Sequence, residues 1–313
     1  MISVELYTPG LAQQWNAFVA EARNGIFLFD RRYMDYHADR FHDFSLVARD
    51  ARGHILALLP ACRVGDSLRS HSGLTFGGWI MPRRRCDTLD MLEIHDAAAA
   101  FLRDNGIRSL LYRPSPHIYH SLPAEEDIYA LVRAGARLSS ALVAEVLDLA
   151  DPLPFDQGAR QRVKKLAGSG IVIGRDADFP AFWEILAELL RERYGATPVH
   201  SLDEITLLHS RFPDNIRLYT AREDGRMIAG VVMYVNPTAA HSQYTAATPR
   251  GKETAAVAGI YAHIIRDLQG TSRYLDFGTS NEDGGREVNP GLVRQKCSYG
   301  GRAIVYPTFT LDL

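Results

Sequence analysis

The chain contains an internal repeat, which restricts the folds that it can adopt. Residues 48–57 read ARDARGHILA, and residues 221–230 read AREDGRMIAG. Each segment has an apolar run, a charged turn with glycine and a second apolar run, which is typical of a β-hairpin. Because a repeated sequence unit indicates a repeated architecture, we predict two similar domains in one chain.

A predicted helix, a glycine and a short strand follow each hairpin, within residues 101–113 and 264–278. We predict that the strands at 107–113 and 273–278 occupy matching positions, as do the hairpins. The strand–helix–strand order at the end of each half favours one parallel strand pair beside antiparallel neighbours. The expected fold class is therefore α+β, with helices flanking a mixed, mostly antiparallel sheet in each domain.

The boundary between the two domains is expected near residues 150–158. A chain of 313 residues is long enough for two cores. The segment DPLPFD (151–156) interrupts the pattern with two prolines. We therefore assign residues 1–152 to an N-terminal domain and 153–313 to a C-terminal domain, whose predicted buried helix covers 252–268.

Composition excludes several classes of protein. The net charge of −2 argues against a DNA-binding protein. No apolar run has the length of a membrane span, and the N-terminus MISVELYTPG lacks a signal-peptide pattern, so we expect a cytoplasmic protein. Cys62, Cys86 and Cys297 have no metal-ligand spacing, so no metal is expected. We interpret Cys297 as a small buried residue rather than a nucleophile.

Several strings resemble one superfamily. They are FLFDRRYMDYHADRF (27–41), SHSGLTFGG (70–78), RQRVKKLAGSGIVI (160–173), YLDFGTS (274–280) and NPGLVRQKCSYGG (289–301). In this order they resemble the GNAT acyltransferases, and in particular the tandem-domain Fem-like branch and its relatives associated with polysaccharides and the cell envelope. The resemblance covers nearly the whole chain.

This resemblance implies two tandem GNAT-like domains, the first on the acceptor side and the second on the donor side. The implied reaction transfers an acyl group, most simply acetyl from acetyl-CoA, to an amine of a sugar or cell-envelope precursor. The acceptor would be a small or nucleotide-linked molecule. Two alternatives remain: a Fem-type transferase that uses aminoacyl-tRNA on a peptidoglycan-like precursor, and a catalytically inactive module that binds a nucleotide sugar.

The donor-binding segment departs from the family pattern. GNAT enzymes hold the CoA pyrophosphate with a Q/R-x-x-G-x-G/A loop before a helix, whereas the equivalent stretch here is TPRGKETAA (248–256). Its backbone N–H groups and basic residues favour anion binding, so we expect Arg250, Gly251 and Lys252 to bind the donor, with Arg294 as a second phosphate ligand. A tRNA donor would instead require the basic helix at 160–165. Its Arg160 and Lys164 are spaced to bind a substrate phosphate together, and the alternative for them is a solvated helix face.

Lys296 and Asp276 are the first choices for the chemistry. Lys296 lies in the terminal segment that the resemblance marks, where its ammonium would hold a phosphate or the tetrahedral oxyanion; the alternative is an exposed lysine at a helix end. Asp276 lies between apolar strand residues, where a carboxylate is costly unless it is paired or faces a cleft. It would accept the amine proton or form a buried ion pair with an arginine.

The first half contributes the acceptor side of the expected site. His37 and His71 are possible bases, because histidine titrates near neutrality, and the alternative for both is a structural hydrogen bond. The remaining expected acceptor-binding residues lie in a polar aromatic stretch and a glycine-rich segment. They are Tyr36, Arg40, Ser70, Thr75, Gly77 and Gly78.

Overall fold

Strands and helices alternate along the chain largely where the sequence predicts them. The structure, a computed structural model, describes residues 2–313, apart from the side chain of Tyr194. The strands are β1 (Ser3–Leu6), β2 (Leu46–Arg49), β3 (Ile55–Leu59), β4 (Ala61–Val64), β5 (Ser67–Ser70), β6 (Ser109–Tyr112), β7 (Arg137–Asp148), β8 (Val172–Asp176), β9 (Ile216–Glu223), β10 (Arg226–Val235), β11 (Ala239–Ala247), β12 (Tyr274–Thr279), β13 (Asn281–Glu282), β14 (Glu287–Val288) and β15 (Arg302–Asp312).

The α-helices begin and end close to their sequence signals. Asp87 and Ser201 each form a capping box at the start of a helix, and Asp156 and Asn289 also act as N-caps. The helices are α1 (Ala12–Glu21), α2 (Arg31–Met34), α3 (Thr88–Asp104), α4 (Glu126–Arg133), α5 (Gln157–Ala167), α6 (Phe179–Tyr194), α7 (Leu202–Arg211), α8 (Pro249–Glu253), α9 (Ala256–Leu268) and α10 (Pro290–Ser298).

The chain forms two compact units. The first comprises the residues up to Leu142 together with Val305–Leu313, and the second comprises Val143–Ile304. The boundary expected after residue 152 falls inside the second unit, because β7 continues as a strand to Asp148 before the proline-rich segment begins. The last residues of β15 return to the first unit, which no local sequence signal indicates.

The first unit has an antiparallel sheet β1–β2–β3 and a sheet β4–β5–β6–β15. β5 and β6 are parallel, whereas β6 pairs antiparallel with β15. Pro60 separates β3 from β4, because proline has no N–H to donate and interrupts a strand. Helices α3 and α4 pack together beside a core that includes Leu59, Leu68 and Met91.

The second unit repeats this order of strands as β8–β9–β10–β11–β12–β7. β11 and β12 are parallel, and β12 pairs antiparallel with β7. β6 and β12 thus occupy matching positions, and the predicted hairpins are the antiparallel pairs β2–β3 and β9–β10. The predicted α+β fold with a mixed sheet in each domain is confirmed.

The helix expected over residues 252–268 is interrupted. Ala255 adopts a left-handed conformation, with φ of +56°, between α8 and α9. Helix α9 then packs on β9 and β10 and buries residues such as Ile260 and Ile264. The interruption places the start of α9 beside the end of β11.

Candidate active site

The parallel strands β11 and β12 separate at one defined point. Their ladder joins Ala239–His241 to Tyr274–Asp276. Within the described chain, no further pair joins these two strands, although β11 continues to Ala247. The ladder between β11 and β12 is therefore interrupted beyond the last pair, and we call the interruption the gap. The last pair is His241 with Asp276.

His241 and Asp276 form a hydrogen-bonded pair at this gap. Nδ1 of His241 lies 2.8 Å from Oδ2 of Asp276. The Asp276 side chain has no exposed surface, whereas 17% of the His241 side chain is exposed. A buried carboxylate on Nδ1 favours the tautomer with the proton on Nδ1, which leaves a lone pair on Nε2. The arrangement can therefore accept a proton at Nε2 and stabilise the resulting imidazolium.

The backbone after Asp276 is shaped around this pair. Gly278 donates its N–H to Oδ1 of Asp276 at 2.8 Å. Its φ of +77° is a conformation that glycine adopts without steric cost. A Cβ at this position would lie 3.3 Å from Cε1 of His241, so the glycine leaves room for the imidazole ring.

Lys296, on α10, is held by the chain that follows Asp276. Its Nζ donates to the carbonyl oxygens of Gly278 and Thr279 at 2.7 and 2.8 Å and to Oγ of Ser280 at 2.9 Å. Only 12% of its side chain is exposed, so the alternative of an exposed helix-end lysine does not hold. All three ammonium protons are used in these contacts, which favours a role in positioning the 278–280 backbone.

A buried carboxylate supports this lysine. Oε2 of Glu145, on β7, accepts a hydrogen bond from Ser280 Oγ at 2.6 Å and lies 3.8 Å from Lys296 Nζ. Burial lowers the pKa of Lys296, while the charges of Glu145 and Asp276 oppose that shift. The lysine, the serine and the glutamate thus form a charged network next to the His241–Asp276 pair.

A cation-lined cavity of about 530 Å³ lies in the same unit. Arg162 of α5, Lys252 of α8 and Arg294 of α10 border it, together with Ala247 at the end of β11 and Tyr299 after α10. No ion pair is found for these three cations among residues 2–313. Asp156 is the one carboxylate in its lining, so the cavity carries a net positive charge that suits a phosphate group.

The expected donor residues divide in two. Lys252, Arg294 and Gly251 border the cavity, but Gly251 gives its N–H to Oγ1 of Thr248 and approaches Ile228 so closely that a Cβ would meet its carbonyl oxygen at 2.1 Å. Gly251 therefore permits close packing of α8 on β10 rather than offering its N–H to a ligand.

Arg250 lies outside the cavity lining. Its guanidinium forms two hydrogen bonds with the carboxylate of Glu223, at 2.7 and 2.8 Å, and also pairs with Glu253. These carboxylates raise the pKa of Arg250. The sequence cannot reveal this competition, because Glu223 lies on another element. The structure thus does not bring Arg250 to the cation-lined cavity.

Arg160 and Lys164 also lie apart from it. Both border a mostly apolar groove on another face of α5, whereas Arg162 of the same helix faces the cation-lined cavity. The basic helix is thus split between two surfaces, which its sequence pattern does not indicate.

His37 and His71 pack together in the first unit. Their rings are stacked with centroids 5.4 Å apart, and both side chains are buried. Burial lowers the pKa of His71 to about 4. Nδ1 of His71 accepts the N–H of Gly73 at 3.2 Å, and a Cβ on Gly73 would lie 2.0 Å from Nε2 of His37. This close packing favours the structural alternative for both histidines.

The other expected acceptor residues divide between buried backbone and surface. Gly77 donates its N–H to the Arg113 carbonyl, while Ser70 Oγ accepts the Arg113 N–H. Gly78, with φ of +88°, is buried beside Tyr112. Thr75 and Arg40 are exposed, and Arg40 lies over the half-buried ring of Tyr36, 5.6 Å from its centroid.

Sequence reasoning missed His241. It lies in the strand AAHSQYTAA (239–247), which the pattern predicts only as a strand. A histidine among small apolar strand residues was the available signal. Its pairing with Asp276 depends on the register of two strands that are distant in sequence, and no local pattern sets that register.

Neither a metal nor a membrane assignment finds support in the described residues. Within residues 2–313, no group of three His, Cys, Asp or Glu side chains is arranged to hold a metal ion. No described helix is both long enough and apolar enough to cross a bilayer.

One protein family matches part of the chain. The family of GNAT acetyltransferase domains matches residues 155–283, which include β8 to β12 and therefore His241 and Asp276. No curated protein is significantly similar to the chain in sequence. The family match supports acyl or aminoacyl transfer as the class of reaction.

Solved structures extend this likeness over nearly the whole chain. FemX superimposes with a TM-score of 0.71 at 11% identity, covering 99% of this chain and 97% of FemX. The C-terminal domain of a putative lysylphosphatidylglycerol synthetase from Agrobacterium fabrum has a TM-score of 0.61 at 12% identity, with coverage of 97% and 91%. A tandem GNAT protein from the clavulanic acid biosynthesis pathway has a TM-score of 0.51 at 13% identity, with coverage of 100% and 98%.

At these identities the likeness concerns the fold, and it agrees with the repeated strand order of the two units. The expected resemblance to tandem, Fem-like GNAT proteins is therefore confirmed. The chain adopts the GNAT fold, and its residues 155–283 match the family of GNAT acetyltransferase domains.

Proposed function

We propose that the protein is an N-acyltransferase that moves an acyl group from a CoA thioester to an amine, with His241 as the general base. The observation that carries this proposal is the His241–Asp276 pair at the point where β11 and β12 separate. An amine is protonated in water near neutrality and must lose a proton before or during attack, so the reaction needs a base of this kind.

In this mechanism the amine nitrogen attacks the thioester carbonyl carbon, a C–N bond forms and the C–S bond breaks. Nε2 of His241 receives the proton that the amine loses, and the CoA thiolate leaves and takes up a proton. Asp276 holds the imidazole through Nδ1 and stabilises its charged form. Asp276 thus acts through His241 rather than accepting the proton itself.

The donor phosphates would lie in the cation-lined cavity, near Lys252, Arg294 and Arg162. Ala247 borders this cavity and is six residues from His241 along β11. At roughly 3.3 Å per residue, a strand covers about 20 Å over that interval. CoA suits such an arrangement, because its pantetheine arm separates the phosphates from the thioester.

Lys296 is proposed as a positioning residue. Its ammonium fixes the carbonyl groups of Gly278 and Thr279, and with them the backbone that contacts Asp276. To bind a phosphate or an oxyanion directly, it would have to give up one of these hydrogen bonds.

The acceptor is proposed to be an amine of a sugar or cell-envelope precursor, with the reaction in the cytoplasm, where acyl-CoA is available. Experiments can distinguish this proposal from two alternative functions. An aminoacyl-tRNA donor would depend on α5, where Arg160 and Lys164 border one surface and Arg162 borders another. An inactive nucleotide-sugar module would bind a ligand but form no product with any donor.

Calorimetry with acetyl-CoA tests the donor assignment. We expect a dissociation constant in the micromolar to millimolar range, which corresponds to a binding free energy of about 4–8 kcal/mol in favour of the complex. Lys252→Gln combined with Arg294→Gln should weaken binding by about 1–3 kcal/mol through loss of charge-assisted hydrogen bonds.

Arg250→Gln is the matched control, because it removes a neighbouring cation that lies outside the cavity lining, and it should bind acetyl-CoA like the wild type. Equal affinity for all three proteins would contradict the site. Binding of charged tRNA in the absence of acetyl-CoA binding would favour the aminoacyl-tRNA rival.

A further inference from the structure

A second concave surface lies on the other side of α5. It is a groove of about 440 Å³, within the range of small-molecule sites. One wall is the face of α5 that carries Arg160, Val163, Lys164 and Ala167, spaced as neighbours on a helix. The opposite wall comes from α9, and the proline-rich segment before α5 closes one side. We call this surface the α5 groove.

The interior of the α5 groove is apolar. Leu147, Phe155, Val163 and Ile265 line it together with Leu153, whose surface is 44% exposed. Single exposed apolar residues need no explanation, but a contiguous concave set of them indicates a binding surface. The polar atoms in the lining belong mainly to two cations at the edge.

These two cations have no opposing charge. Arg160 and Lys164 are both exposed, and neither has an ion-pair partner among the described residues. They are four residues apart on one helix, where two like charges repel each other. Helix α5 itself, with the sequence QGARQRVKKLA, contains no acidic residue that would offset them. An anion bound between them would relieve this repulsion.

The proline-rich side of the α5 groove is fixed rather than loose. The Asp156 N–H donates to the Ser298 carbonyl at 2.8 Å, and the Asp156 side chain caps α5. Gly300, with φ of +91°, lies so close to this segment that a Cβ would be 2.4 Å from the Leu153 carbonyl oxygen. A ligand would therefore enter a preformed site.

We propose that the α5 groove binds a single anionic amphiphile, a molecule with a hydrocarbon chain and a phosphate head group. The chain lies along Phe155, Val163 and Ile265, and the head group lies between Arg160 and Lys164. One ligand then contacts both the apolar interior and the two cations, whereas a free phosphate contacts only Arg160 and Lys164. The site is separate from the donor cavity and does not depend on the proposed transfer reaction.

Decyl phosphate, titrated calorimetrically below its micelle-forming concentration, tests this site. Inorganic phosphate and the neutral amphiphile decyl maltoside are the comparison ligands. We expect decyl phosphate to bind at least about tenfold more tightly than either, because only it makes both kinds of contact. Equal binding of inorganic phosphate would overturn the proposal, since the chain would then contribute nothing.

Matched variants locate the binding. Arg160→Gln with Lys164→Gln should weaken decyl phosphate binding about tenfold or more, while Lys165→Gln, on the same helix but outside the lining, should leave it unchanged. Val163→Asn should weaken both decyl compounds. Unchanged binding in the Arg160/Lys164 double variant would refute the site.

Two further experiments test whether the amphiphile binds elsewhere, in the donor cavity or only as part of a membrane surface. Lys252→Gln with Arg294→Gln should leave decyl phosphate binding unchanged while weakening acetyl-CoA binding, and weaker binding of both ligands would assign the amphiphile to the donor cavity. Sedimentation with phosphatidylglycerol vesicles, without binding of monomeric decyl phosphate, would point to a membrane surface and contradict a single-molecule site.

Discussion

The parallel strand pairs of the two units are built alike but end differently. In the first unit, the backbone beyond the last β5–β6 pair still has hydrogen-bond partners. Ser70 Oγ accepts the Arg113 N–H, and Gly77 forms an isolated β-bridge with Pro114. In the second unit, the last β11–β12 pair is His241 with Asp276, and the strands then separate. One topology thus produces a closed strand pair and an open one.

Each unit also has a buried aspartate bonded to a ring side chain. Asp127 of the first unit accepts a short hydrogen bond from the hydroxyl of Tyr112, whose ring is buried. Asp276 of the second unit is bonded to His241, whose ring is partly exposed. The first pair can only stabilise the fold, whereas the second can exchange a proton with a ligand. This difference is why we propose the second unit as the place for the chemistry.

The largest effect should come from His241→Gln, which keeps a hydrogen-bonding side chain but removes the base. Turnover, measured as CoA release from acetyl-CoA with a panel of amines, should fall by about 10²–10⁴-fold. The thermal midpoint should change little, because the ring is partly exposed. His71→Gln, which changes a buried histidine of the first unit, is the control and should retain turnover. Wild-type turnover in His241→Gln would contradict the assignment of His241 as the base.

The Tyr112–Asp127 pair of the first unit should affect the stability of the fold rather than turnover. Burial raises the pKa of Asp127 to about 6 from its usual 3.8. The folded state therefore binds the proton of the Asp127 carboxyl group more tightly than the unfolded state does. The contribution of this protonated carboxyl to stability is complete below about pH 4 and is lost as the pH rises towards about 6. The free energy of unfolding should fall by about 3 kcal/mol across that window.

Denaturant unfolding at a series of pH values, in the wild type and in Asp127→Asn, isolates this effect. The variant should lack the decline between pH 4 and 6, since its amide does not titrate. Identical pH profiles for the two proteins would show that Asp127 is ionised in the folded state.

A smaller effect is expected for Lys296→Met. The loss of its three hydrogen bonds, and of the charge near buried Glu145, should lower the free energy of unfolding by about 2 kcal/mol. Turnover should fall with acetyl-CoA affinity unchanged. In Lys296→Met with Glu145→Gln, the two losses should be less than additive; full stability in the single variant would remove the proposed positioning role.

Gly278→Ala should lower the free energy of unfolding by less than Lys296→Met does. A residue with a Cβ at φ of +77° should cost about 1–2 kcal/mol. The new Cβ also approaches the His241 ring, so turnover should fall as well. Gly225→Ala, at a hairpin glycine with φ of +78° and open space around it, is the control for the backbone cost alone. Equal turnover in both alanine variants would show that Gly278 does not position the ring.

Much of this fold could be predicted from the sequence because its signals are local. The Asp-Gly turn at 224–225, the N-cap Asp87 and the Asn-Gly pair at 105–106 mark where elements begin and end. The matching positions of β6 and β12 followed from the repeat. The return of β15 to the first unit could not be predicted, since only tertiary packing determines it.

The candidate site was less accessible to such reasoning, for physical reasons. Asp276 was singled out because a carboxylate among apolar strand residues must be paired or face a cleft, and for the paired alternative an arginine, not His241, was named as the partner. Arg250 was expected to bind the donor because it is a basic residue before a helix, and its ion pair with Glu223 could not be foreseen, since it joins two separate elements. Charge and residue type are readable in the sequence, whereas the competition between partners is not.

The location of acetyl-CoA in a crystal structure of its complex tests the central claim most directly. We expect its pyrophosphate near Lys252 and Arg294 and its thioester at the gap between β11 and β12, beside Nε2 of His241. The first unit also has an arginine-bordered cavity, which includes Arg83, Arg84 and Arg85. Acetyl-CoA bound there, with the gap beside His241 empty, would contradict the assignment of chemistry to the second unit.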